Sequence, residues 1–351
     1  MDFQIFAFLL QDGITMGAVY VLLAVALVMV FNVTRIIYVP QGEFVSYTAL
    51  TLATFEAGQR PATVWLLLGA GAVAFVMELL SLRAAGALVA RRIAPPAGLY
   101  LAIPALLAAL SGAGVGADRP LVVKVVLSVC IVVALAPALY RIAFRPIADA
   151  SALTLLVAAI ALHFVLVGLA LHMFGPEGLR TPAFAGESFK LGFLTVSPQF
   201  LWVVGLSVLL IVCLFIFFGR SLYGKALRAS AVSRRGAHLV GISTDFAGSL
   251  TLTLAAAIGA VSGVLIGPLT NMKFDSGFLL GLKGFVGAII GGLAVYPLAA
   301  AGAVFVGVLE TFASFWASAY KEVIVFTLIV PILIWRSIAQ PHVDEEGEAE
   351  E

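Results

Sequence analysis

The chain has 351 residues, 62% hydrophobic and 11% charged, with a mean hydropathy of +1.12 and a net charge of +1. A water-soluble domain of this length needs about one charged residue in four to cover its surface, so a soluble globular enzyme is excluded. Apolar runs of about 17–25 residues recur along the chain and match the thickness of a bilayer, which predicts an all-α, polytopic transmembrane helix bundle.

The first span ends near Phe31 and is followed by Arg35; Met1-Asp2 precedes it without the basic region of a cleavable signal, so it is expected to be retained. Pro40-Gln41-Gly42 breaks the pattern before a second span that ends near Phe55. A third covers Ala62–Leu80, with Arg83, Arg91 and Arg92 after it, and a short one, Leu99–Leu110, is interrupted by Pro104. Leu121–Tyr140 leads to Arg141 and Arg145-Pro146. Ser151–Phe174 leads to a polar loop, Gly175–Ser197, with room for a small hairpin. Gln199–Phe218 enters, and Phe246–Leu269 leaves, the longest polar interruption, Gly219–Asp245. Leu279–Leu293, Pro297–Phe315 and Val323–Trp335 complete about 10–11 spans. An outside N-terminus and a cytoplasmic C-terminus put most bases at span ends on the inner face, as the positive-inside rule demands. The expected organisation is one transmembrane domain over residues 1–338, with a cytoplasmic loop at 219–245. An acidic tail follows at 339–351, where Asp344, Glu345, Glu346, Glu348, Glu350 and Glu351 offset the basic excess elsewhere.

The loop carries Arg220, Lys225, Arg228, Arg234 and Arg235 against one acid, Asp245. A basic, helix-patterned loop in the cytosol suits docking of an energy-supplying soluble subunit. Gly219 to Lys225 matches the start of a phosphate-binding loop, but Ala226 stands where the motif needs a Ser or Thr for Mg²⁺. No cofactor is therefore expected on this chain; ATP and Mg²⁺ would belong to a partner. Gly259, Gly263 and Gly267, and again Gly287 and Gly291, recur at four-residue steps, the stripe that lets helices pack closely in lipid. Intrachain packing is the favoured role for the first series, a subunit interface or pathway lining the alternative.

Ionisable groups inside spans are costly and invite a functional reading. Glu43, beside the Pro-Gln-Gly break, either holds a polar substrate or gate, or is a satisfied structural acid. Lys283 and Glu310 lie on neighbouring spans and can pair. Asn271, Lys273 and Asp275 sit at an outward helix end, where substrate or an external partner would meet them. Glu78, near a cytoplasmic end, is expected to snorkel to the interface. His163 and His172 share a span with no thiol or acid between them, so no metal site is expected. Cys130 and Cys213 lie in apolar runs, where a disulfide is not expected. No HExxH or GxSxG motif supports intramembrane catalysis, and the chain is not expected to be an enzyme.

Four stretches in order resemble the permease subunits of bacterial branched-chain amino acid ABC importers, the shorter of the two permease types. They are DGITMGAVYVLLAVALVMVFNVTRIIYVPQGEF with Gly42-Glu43, AFRPIADASALTLLVAAI with Arg145-Pro146, SLYGKALRASAVSRRGAHLVGIST with Gly241-Ile242, and GLKGFVGAIIGGLAVYPLAAAGAVFVGVLET with Lys283, Pro297 and Glu310. The resemblance spans most of the chain except about Leu80–Leu121, and about 62–117 looks like an extra pair of spans. Pro-Gln-Gly-Glu also departs from the family's usual aromatic-small-His run. The resemblance implies a multi-pass protein of the bacterial inner membrane that lines the translocation pathway. Implied partners are a homologous second permease chain, two cytosolic ATPases and a periplasmic binding protein, with no nucleic acid. Gln41, Gly42, Glu43, Asn271, Asp275, Lys283 and Glu310 are the candidate pathway residues. Leu222, Lys225, Leu227, Arg228, Arg234, Arg235, Leu239 and Gly241 are those implied to couple to the ATPase, together with Val240. An ion-coupled secondary transporter or channel acting alone is the competing expectation, carried by Glu43 and Glu310.

Overall fold

A computed structural model describes residues 3–86, 89–114, 119–184, 189–191, 194–293 and 295–339. The helices in order are α1 (Phe3–Thr34), α2 (Gln41–Glu56), α3 (Thr63–Ala84), α4 (Ala90–Ala97), α5 (Ile103–Gly114), α6 (Leu121–Leu139) and α7 (Ala152–Phe174). A small antiparallel hairpin, β1 (Phe189–Leu191) and β2 (Leu194–Val196), occupies the loop where the sequence left room for one. Then come α8 (Pro198–Arg220), α9 (Leu222–Val232), α10 (Arg234–Leu239), α11 (Thr244–Ile266), α12 (Ser276–Ile290), α13 (Tyr296–Ala317), α14 (Lys321–Thr327) and α15 (Ile329–Ala339). The acidic residues of the tail lie outside the described residues.

Among the described residues, eight helical stretches are long and apolar enough to cross a membrane. Of the remaining expected spans, α2 and α12 have only 16 and 15 residues. At about 1.5 Å per residue neither reaches across a hydrocarbon core of about 30 Å. The last expected span is broken between α14 and α15, and it continues the stretch that begins with α13.

The long helix α1 is the axis of the bundle. Nearly every residue from Gly13 to Val30 is buried, and α11, α12 and α13 pack around it. Glycines bring these helices into backbone contact: a Cβ on Gly13 would lie 2.7 Å from Val308 Cα, and one on Gly263 only 2.3 Å from Val45 O. The outer helices α3, α7 and α8 show large apolar side chains such as Trp65, Phe164 and Phe215 on the surface, as lipid-facing helices do.

The short Pro-interrupted span is longer than its sequence suggested. α4, a π turn at Gly98–Ala102 and α5 form one helical stretch, with Arg91 and Arg92 inside it rather than in a loop. Pro95 and Pro96 fall in its second turn, where they withhold the N–H groups that Arg91 and Arg92 carbonyls would otherwise accept from. Pro104 cannot donate to Tyr100 O. That freed carbonyl faces Gly71 of α3, where a Cβ would stand at 2.2 Å. α3 and this stretch flank α6 and form a helical pair applied to one side of the bundle. Glu56–Lys124 at 3.3 Å and a hydrogen bond from Arg60 to Ala108 O at 2.7 Å hold the flank at one end.

Serine caps divide the later half of the chain. The N–H groups of Thr154, Phe200, Gly224, Gly236 and Phe246 donate to the hydroxyls of Ser151, Ser197, Ser221, Ser233 and Ser243, at the starts of α7, α8, α9, α10 and α11. Gly241, with φ +87°, follows α10 in the left-handed conformation that ends helices. The interruption 219–245 is thereby folded into two short helices at one end of the bundle. A strap closes the other end. Leu179 and Met272 exchange backbone hydrogen bonds at 2.8 and 2.9 Å, and Arg180 donates twice to Pro268 O at 2.9 and 2.7 Å.

Candidate functional site

The first turns of the two short helices meet inside the bundle. Gly42 of α2 lies against Gly277 and Gly281 of α12, so closely that a Cβ on Gly42 would stand 1.8 Å from Gly277 O. Only glycine permits this crossing. The chain reaches it as a buried segment, Ile36–Pro40, whose Tyr38 ring stacks on Phe44 and meets Phe144 edge-on.

Beside the crossing, Glu43 is 1% exposed, and its Oε1 stands 3.0 Å from His163 Nδ1 of α7. Neither atom makes a well-directed hydrogen bond, while Ser46 donates to Glu43 Oε2 at 3.3 Å. Phe278 covers the imidazole at 4.8 Å between ring centroids. Tyr47 adds a second tie to α7, donating to Leu166 O at 2.7 Å. Gln41 donates to Ala255 O at 2.9 Å but leaves its own oxygen unpaired, as Tyr38 leaves its hydroxyl. A buried polar atom left without a partner costs about 1–3 kcal/mol.

A second buried cluster joins α1, α12, α13 and α14. Lys283 Nζ lies 2.6 Å from Glu310 Oε1 and 3.1 Å from Glu322 Oε1, and Tyr20 donates to Glu310 Oε2 at 2.6 Å. Lys283 and Glu310 are thus spent on each other, the pairing their neighbouring spans allowed. Asn271 and Asp275 are exposed near the strap, at the opposite end of the bundle from α9 and α10.

The α9–α10 end carries the basic residues. Leu222, Val232 and Leu239 are 81%, 86% and 86% exposed, and Lys225, Arg228, Val240 and Gly241 are also on the surface. Leu227 corrects the expected docking face: it is fully buried with Val33 and Ala247 and fastens α9 to the bundle. Arg234 is likewise an anchor, donating to Val33 O at 3.3 Å and to Thr34 O, and burial draws its guanidinium below the ordinary value. Arg235 is exposed beside it.

Glu78 also differs from expectation. Rather than snorkelling alone, it is bound by Arg141 at 2.6 Å and by Arg145, and Arg145 reaches Asp245 Oδ2 at 2.8 Å. Arg141, Arg145 and Asp245 border an open cleft of about 550 Å³, and with Glu78 they chain α3, the turn after α6 and the first turn of α11 together. The glycine series are packed within the chain: Gly259 and Gly263 on α2, Gly267 on Thr181, and Gly287 and Gly291 on α13.

The family model for the branched-chain amino acid transport system permease component matches residues 96–333. The chain belongs to this family. A branched-chain amino acid permease protein of Escherichia coli K12, LivH, is 26% identical over 348 residues, covering 95% of each chain. The Salmonella typhimurium LivH protein is 31% identical over 204 residues, 55% of this chain and 65% of its own. The Pseudomonas aeruginosa BraD protein is 28% identical over 215 residues, 58% and 70% respectively. No solved structure matches the chain significantly.

In this permease the sequence pointed to Glu43 but not to its partner, because His163 lies 120 positions away on an apolar span. Tyr38, Tyr20 and Glu322 were not singled out; each is a polar group on or beside an apolar run, a weak signal without the fold. The lack of a thiol or acid between His163 and His172 argued against a metal.

Proposed function

We propose that this permease forms one half of the pathway of an ATP-driven importer for branched-chain amino acids or related small carboxylate solutes in the bacterial inner membrane. A second, homologous permease chain forms the other half, two cytosolic ATPases bind ATP and Mg²⁺, and an external binding protein delivers cargo to the face that bears Asn271 and Asp275. The chain itself breaks no bonds. Its N-terminus faces outward and its C-terminus the cytosol.

The observation that carries this reading is the α9–α10 unit, which shows Leu222, Val232, Leu239 and bases outward while being fastened inward. Exposed apolar residues rimmed by charge are what a soluble partner docks on. The fastenings give a path for motion. Arg234 holds the end of α1, and Arg145 holds the start of α11. Both helices border α2, whose crossing with α12 at Gly42 is the constriction a transported solute has to pass. Closure of the ATPases on α9–α10 would shift α1 and α11 and open the crossing to one side and then the other, by shear of packed helices. Of the two acids that carry the ion-coupled reading, Glu310 is matched by Lys283, which favours the ATP-driven reading.

Affinity purification of the tagged permease tests the proposal. ATPase subunits are expected to co-purify, and the reconstituted complex is expected to accumulate leucine only with ATP. Uptake by the purified chain alone, driven by a proton or sodium gradient, would replace this reading with the competing one.

A further inference from the structure

The helical pair beside α6 ends in three arginines. Arg83 lies in the last turn of α3, and Arg91 and Arg92 lie in the first turn of α4, which packs against α3. All three are exposed, and none makes a hydrogen bond or ion pair among the described residues. Ser81 accepts a hydrogen bond from Arg141, and Arg145 reaches Asp245 in the first turn of α11, so Arg83 stands at the end of the bundle that carries α9 and α10. No acid occurs from Leu79 to Ala117, and Glu78, just before that stretch, is taken by Arg141 and Arg145. The other arginines here are matched, Arg145 by acids and Arg234 by carbonyls of α1.

Apolar surface runs up the membrane from these bases. Val76, Leu80 and Arg83 follow one another at steps of four and three on one face of α3, and Val76 and Leu80 are 52% and 59% exposed. Leu99, seven positions after Arg92, is also exposed. α4 buries none of its residues, so no core contact explains the placing of its two arginines. A lipid-facing apolar stripe that ends in bases at the edge of the hydrocarbon is the form of a phospholipid site. The charge rule for span ends asks for a surplus of bases, and does not ask that three converge on one helical hairpin without an acid.

We propose that Arg83, Arg91 and Arg92 bind the headgroup of an anionic phospholipid in the leaflet on the α9–α10 side, with an acyl chain lying along Val76 and Leu80. Guanidinium groups meet phosphate oxygens through paired N–H donors, so the phosphodiester is held by directed hydrogen bonds as well as by charge. Through Glu78 and Arg145 the same helix is tied to the first turn of α11, so a lipid held here steadies the flank that carries this clasp. The inference stands apart from the importer reading, and a permease without ATP-driven uptake would not remove it.

Native mass spectrometry of the full-length permease tests it, with dioleoyl phosphatidylglycerol as the probe and dioleoyl phosphatidylcholine as the neutral control. The wild type should bind its first phosphatidylglycerol about tenfold or more tightly than phosphatidylcholine. Arg83→Gln, Arg91→Gln and Arg92→Gln together should remove that preference and leave thermal unfolding unchanged, whereas Arg83→Lys, Arg91→Lys and Arg92→Lys together should keep it. A phosphatidylglycerol with a diazirine on its acyl chain should label α3 and α4–α5 peptides of the wild type, which decides the matter where the glutamine variant fails to fold. Equal affinity of the wild type for the two lipids, a preference that survives the glutamine changes, or labelling confined to other helices overturns the inference. So does displacement of the lipid by inorganic phosphate, which would mark a site for a soluble anion. Loss of ATPase co-purification by the glutamine variant with its lipid preference intact would also overturn it, and would mark a protein docking face instead.

Discussion

Gly42 has no room for even a methyl group, because Gly277 O occupies the position where its Cβ would lie. Gly42→Ala should therefore force α2 and α12 apart, cost about 1–3 kcal/mol through overpacking, and abolish uptake. Thermal unfolding and uptake of the variant check this; a stable, transporting Gly42→Ala protein would show that the crossing is not a tight gate. Lys283 presents a different case. Lys283→Met leaves Glu310 and Glu322 without their cation and should destabilise the fold by about 3–5 kcal/mol, whereas Lys283→Met with Glu310→Gln should recover much of it. If the double variant unfolds as readily as the single one, the cluster is not held by that pair. At this scale the sequence supplied candidates and not partners. Glu43, Lys283 and Glu310 stood out as charges in apolar runs. Their destinations depend on helices 27 to 120 positions away, which no local pattern encodes.

The α9–α10 unit shows why single elements were easier to read than their faces. Three serines, Ser221, Ser233 and Ser243, mark the helix starts and could have been taken from the sequence as caps. Leu222 and Leu227 were assigned to one docking face, yet five helical positions place them about 140° apart, so one had to turn inward. Leu227 did. Arg228→Glu with Leu239→Ser should therefore prevent ATPase co-purification while changing permease stability by less than about 0.5 kcal/mol, as surface changes do. Arg234→Ala should instead loosen α10 from α1 and lower stability by about 1.5–3 kcal/mol, the worth of hydrogen bonds to a charged donor. Pull-down and thermal unfolding separate the two; equal loss of stability in both variants would contradict the division into docking and anchoring residues. The helical pair at 62–117 was legible from apolar length, but its reach was not. Pro104 suggested a short, interrupted span, whereas the helix runs on through the π turn opposite Gly71 from a start at Ala90.

For the whole molecule, composition and apolar run length were enough to give an all-α bundle, and charge at span ends put three of the bases that meet in the structure on one side. Arg141, Arg145 and Arg234 do lie together there, tied to Glu78, Asp245 and the end of α1. Hydrophobicity alone could not distinguish α12 from a spanning helix, since it is as apolar as α11 and α13, whereas α2 is both shorter and more polar than α1 and α3. The account depends on the α9–α10 end facing the ATP-containing side. Val232→Cys, in a background with Cys130→Ala and Cys213→Ala, measures this through labelling by a membrane-impermeant thiol reagent in right-side-out and inverted vesicles. Labelling is expected only in inverted vesicles, with protection when the ATPase subunits are bound; labelling from the outer face would contradict the account.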